Sequence, residues 1–137
     1  KSRSRGLGDV YKRQGVGSFG FETAETMLNA GFLPDAISSD VHSLSIKGPA
    51  YDQLVTLSKF LHLGMSITDI IGASTTGPAR AIRRPDLGTL SPGSIGDATI
   101  LSIEKGDFIF TDSLGNTRSG EKKFTLKGIV LDGEMWG

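Results

Sequence analysis

The segment Asp35-Ala36-Ile37-Ser38-Ser39-Asp40-Val41-His42 constrains the fold more than any other stretch of this chain. A short run of small and β-branched residues predicts a buried strand over Asp35–Asp40, with a carboxylate and an imidazole delivered at its end. Just before it, Glu22–Ala30 predicts a helix. Ala24, Met27 and Leu28 share one face, acids occupy the first turn, and Gly31 supplies the stop. A helix followed by a strand is the order an α/β barrel produces. Polar groups at the C-terminal ends of barrel strands face the mouth, where chemistry takes place. A buried Asp needs a partner that offsets its desolvation, and a metal cation is one of the few that can. Asp40 is therefore the leading candidate for a functional carboxylate.

Downstream, Val41–Ala50 reads as a polar loop closed by Gly48-Pro49. Tyr51–Leu63 predicts a second helix, with Leu54, Leu57, Ser58 and Leu61 along one stripe and Gly64 ending it. Ser66 and Asp69 have capping-box-like spacing and open a third helix, Ile67 to about Thr75. Gly77-Pro78 is expected to break that helix, and Ala79–Ile82 to begin another turn. After Pro85 the texture changes. Strands are predicted over Ala98–Ile103, Phe108–Thr111, Lys123–Val130 and Glu134–Trp136, with a hairpin at Asp132-Gly133. A domain boundary is placed near Asp86.

Composition narrows the functional classes. The 137 residues carry 15 basic and 15 acidic side chains, so nothing electrostatic favours nucleic acid or an anionic membrane. No cysteine is present, which leaves His, Asp, Glu or a modified Lys as metal ligands. The apolar runs fall short of the roughly 20 residues a membrane helix needs.

Lys1–Gln14 is basic and has no hydrophobic period. It lacks the apolar region of a signal peptide, and a cytoplasmic location is the expectation. Ser4–Gln14 resembles the in-frame translation of a transposase-based sequencing adapter. The tail is therefore read as non-native, and a basic nucleic-acid-binding arm is the weaker alternative. The glycine-rich Gly15-Val16-Gly17-Ser18-Phe19-Gly20-Phe21 loop enters the first helix. Gly17 and Ser18 either line a pocket through their N–H groups or form a structural turn.

Four motifs carry a family resemblance. Gly15-Val16-Gly17-Ser18-Phe19 looks like the end of an HGxGSF motif. Pro34–His42 is similar to PDxISTDxH. Leu61–Ser66 and Ala73–Ala79 resemble the helices that follow, although Asn is commoner than Gly77. Leu87-Gly88-Thr89-Leu90-Ser91-Pro92-Gly93-Ser94-Ile95-Gly96-Asp97-Ala98 is close to LGxLxPGxxAD. Together these resemble the amidohydrolase superfamily, in its deacetylase or dihydroorotase-like branch.

The resemblance implies an α/β chain with residues 15–86 as the last units of a (β/α)8 TIM-like barrel and 87–137 as part of a small C-terminal β domain. It implies one or two divalent ions, commonly zinc, and a small acylated substrate. It leaves a homo-oligomer open for the full-length parent. Asp40 matches the final metal-ligating Asp, which also accepts a proton from the bound water and passes it to the leaving group. His42 would contact substrate or orient Asp40, against the plainer reading of a loop His satisfied by backbone. His62 reads as a surface or core histidine, Lys59 as part of a solvated helix face, Asp69 as a cap and Asp97 as a turn residue.

Taken alone, the fragment is expected to be inactive, because a catalytic ion needs three or more protein ligands. The competing reading is a non-catalytic α/β module for ligand binding or assembly.

Overall fold

A computed structural model describes residues 19–136. The tail Lys1–Gln14 and the candidate residues Gly17 and Ser18 lie outside the described residues. The chain is an α/β fold in which, among the described residues, four helices lead into an antiparallel sheet.

Helix α1 spans Phe21–Asn29 and buries Phe21 and Ala24. Gly31 closes it at φ 81. The Gly31 N–H bonds to Leu28 O and the Phe32 N–H to Met27 O, which together make a Schellman closure. Helix α2 spans Gln53–His62 and starts at Asp52, whose side chain accepts from Val55 N. It ends in the same closure, with Gly64 N bonding to Leu61 O and Met65 N to Phe60 O. Helix α3, Ile67–Gly72, is capped by Ser66, whose hydroxyl accepts from Asp69 N and donates to the Asp69 carboxylate. The predicted caps and stops are therefore in place.

Two expectations need correction. Gly77-Pro78 does not end a helix; it lies in the first turn of α4, Thr76–Ala81. Proline is tolerated there because a first-turn N–H has no intrahelical acceptor. The segment Asp35–Asp40 is not a strand either, since it pairs with no ladder among the described residues. Instead, the Ile37 N–H donates to Ala73 O, and Gln53 Nε2 donates to Ile37 O. The segment is held by a helix end and a side chain rather than by neighbouring strands.

Strands β1 (Ala98–Thr111), β2 (Thr117–Leu131) and β3 (Glu134–Trp136) form a sheet in that order. The separate strands expected on either side of Glu104–Asp107 are one strand, carried through by a register shift between Lys105 and Phe108. Alternation in β1 is as predicted: Phe110 is 5% exposed and Ile109 74%. The β2–β3 hairpin turns at Asp132-Gly133, both at positive φ, as a type I′ turn requires. Asp97 accepts from Asp132 N and ties the approach to β1 to that turn.

The core joins helices and sheet. Ile37, Leu57, Phe60, Met65, Ile70 and Ala73 pack with Phe124 of β2. The Ser58 hydroxyl donates to Leu54 O and accepts from Phe124 N, so α2 is hydrogen-bonded directly onto the sheet.

Candidate active-site turn

Asp40 and His42 are brought together by one tight turn. Asp40 is exposed and adopts φ 52, a left-handed conformation that Asp tolerates better than most residues. Behind it sits Ser45, at 0% exposure. The Ser45 hydroxyl donates to Asp40 O at 3.0 Å and accepts from His42 N at 3.0 Å. Ser45 N and Ile46 N both return to His42 O, and Gly48 N bonds to Ser45 O. A buried hydroxyl that links the residues on either side of Val41 fixes how Asp40 and His42 leave the backbone.

The His42 ring is oriented as well. Its Nδ1 accepts from Leu44 N at 3.2 Å, so in the neutral ring the hydrogen sits on Nε2. His42 therefore offers a donor at Nε2 and suits a hydrogen-bonding role better than a metal ligand's. Leu44 and Ile46 stand exposed beside the turn and give it an apolar rim.

Lys59 corrects the sequence reading most sharply. It does not lie on a solvated face but is 2% exposed, with Nζ donating to Pro49 O at 2.7 Å. The ammonium also lies 5.4 Å from the centre of the Phe19 ring. Burial pulls its pKa down to about 8, partly opposed by the Asp112 carboxylate.

Phe19 is itself pinned. Its carbonyl accepts from Ser113 N and Oγ, and its ring makes edge contacts with Phe21 and Phe60. Asp112, 1% exposed, accepts from Phe21 N, Leu114 N, Asn116 N and Asn116 Nδ2. It caps α1 from the β1–β2 turn, because Gly20 at the N-cap has no side chain to do so. Arg118 adds an ion pair to Glu25 and lies over the Phe21 ring. That partner holds the Glu25 carboxyl below its usual range.

The remaining candidates lie elsewhere. The His62 ring sits beside Phe21 and Phe110 and lines an open hollow of about 350 Å³ with Leu61 and residues 119–122, away from the Asp40 turn. Asp69 is the α3 cap. Among the described residues, no three His, Asp or Glu groups converge to hold an ion. As a hard oxygen donor, Asp40 fits one corner of a divalent-metal site. Sequence reasoning missed Ser45, Lys59 and Asp112. Small polar residues in a loop, and a lysine in a helix, carry no signal of what will cover them.

Residues 5–135 match the amidohydrolase family. This chain belongs to that family. It is 34% identical over 120 residues to a deacetylase of Brucella anthropi, covering 88% of this chain and 30% of that protein. Two solved structures share its fold. One is described as an adenine deaminase (TM-score 0.83, 32% identity, 89% of this chain and 33% of that one). The other is described as a dihydroorotase (TM-score 0.77, 31% identity, 88% and 33%). The chain thus spans about a third of the length of the relatives it matches. No helix among the described residues is long and apolar enough to cross a membrane.

Proposed function

We propose that this chain is the C-terminal part of a metal-dependent hydrolase of amide or ester bonds, deacetylase-like, in which Asp40 carries the essential carboxylate. In this reading residues 15–86 supply the last barrel units and residues 87–137 the small β domain. The observation that carries it is the turn in which the Ser45 hydroxyl links the Asp40 carbonyl to the His42 N–H, so that both side chains are presented at the end of the Pro34–Asp40 segment. Kinship to a curated deacetylase supports the choice of reaction.

Asp40 would provide one oxygen ligand to a divalent ion, commonly zinc in this superfamily, with the other ligands contributed by the rest of the parent protein. When bound, such an ion supplies a water that ionises near neutral pH and polarises the substrate carbonyl. Asp40 would be the group that accepts a proton from the attacking water and returns it to the leaving nitrogen or oxygen. His42, with its hydrogen on Nε2, donates to a substrate oxygen or to Asp40. Leu44 and Ile46, exposed beside the turn, would border the acyl group.

The test is Asp40→Asn in the full-length parent, with hydrolysis of small acylated amides and bound metal measured together. Turnover should fall by at least ~100-fold, within the range for a lost proton-transfer group. An Asp40→Asn enzyme with full activity would refute the assignment.

A further inference from the structure

We propose that Lys59 is a positioning residue: its buried ammonium clamps the return of the Asp40–His42 turn through the Pro49 carbonyl and seats that turn against Phe19. The proposal rests on the functional reading above only where it predicts activity.

Helix α2 grips the turn at both ends. Near its start, Gln53 Nε2 holds Ile37 O, three residues before Asp40. Two turns later, Lys59 Nζ holds Pro49 O at 2.7 Å. Between these anchors Ser45 links Asp40 to His42, and its carbonyl takes the Gly48 N–H, one residue from Pro49. The run of bonds from Lys59 to the Asp40 backbone is therefore short, and it passes through the buried Ser45. On its other side the ammonium meets the Phe19 ring, and Phe19 is fixed to the sheet by Ser113. Lys59 thus stands between Phe19, which ends the glycine-rich motif, and the loop that follows Asp40 and His42.

The site is costly for stability alone. Burying an ammonium against one carbonyl and one ring face is unfavourable, as the fall of its pKa to about 8 reflects. A methionine of similar length fills the same space without desolvating a charge. What methionine lacks is the N–H that reaches Pro49 O.

The experiment uses the full-length protein with Lys59→Met and, separately, Ser45→Ala, which breaks the other end of the same connection without altering charge. Thermal stability, kcat, KM, metal content and amide exchange of Ser45, Ile46 and Gly48 are measured. Lys59→Met is expected to keep or raise Tm while exchange at these three amides accelerates. With metal content and KM little changed, kcat should fall on the order of 10- to 100-fold, as for small displacements of a reacting group. Ser45→Ala is expected to accelerate the same amides and lower kcat.

A Lys59→Met protein with unchanged exchange and full kcat overturns the proposal, as does a loss of Tm with activity falling only in proportion to folded protein. Should Lys59→Met fail to fold, Ser45→Ala decides: normal exchange and full kcat there overturn it equally. If the wild-type parent hydrolyses nothing, the functional reading fails, and the exchange data still decide the clamp.

Discussion

At the residue scale, Lys59 shows how burial changes what a side chain does. The apolar stripe of α2 through Leu54, Leu57 and Leu61 places Lys59 off the core face, which is why the sequence pattern reads it as solvated. In the structure, Thr56 through Phe60 are five consecutive buried residues, so the helix is covered on more than one side. The second cover is Phe19 and the loop ending at Pro49.

A pH dependence follows from this burial. Folding lowers the Lys59 pKa from 10.5 to about 8, so between those values the unfolded chain holds more protons than the folded one. Stability from this residue should therefore rise as pH climbs from about 8 towards 10.5, and the full cost of burial is felt below pH 8. Denaturant midpoints measured across that window should rise for the natural sequence relative to Lys59→Met. A constant difference between the two would show that Lys59 is not desolvated. Asp112 makes a complementary point. Its partner Phe21 lies 91 positions away, and no local pattern announces such a cap.

At the element scale, the helix ends were legible because their chemistry is local. Gly31 and Gly64 sit at positive φ in Schellman closures, and Ser66 with Asp69 caps α3 as their spacing predicts. Gly77 was misread because its reason is not local. A Cβ there would overlap the Asp35 carbonyl oxygen, so the glycine allows α4 to approach the segment leading to Asp40. Asn, commoner in the motif this region resembles, has no room without a backbone shift. Gly77→Ala should destabilise the protein by about 1–3 kcal/mol, the range for an overpacked site. A thermal or denaturant midpoint equal to that of the natural sequence would show that the approach relaxes freely. Segment 35–40 failed as a strand for a related reason, since a strand exists only with a ladder partner. Here the partners are Ala73 O and Gln53.

At the scale of the whole molecule, the proposed function gives this chain one candidate carboxylate of a site that would need several ligands. The isolated 137-residue chain, supplied with zinc, is expected to hydrolyse acylated amides no faster than the uncatalysed background, because one carboxylate holds an ion too weakly. Release of product that scales with protein and is abolished by a chelator would overturn this. The sequence by itself determined the helix stops at Gly31 and Gly64, the Ser66 cap, the β2–β3 hairpin and the family, because each rests on contiguous residues and short-range backbone chemistry. Only the tertiary structure decided that Lys59 is buried under the Asp40 turn, that Ser45 links Asp40 to His42, and that Asp112 caps α1 from the sheet. Those outcomes depend on which surfaces meet, and burial turns an unremarkable polar residue into one that must be satisfied.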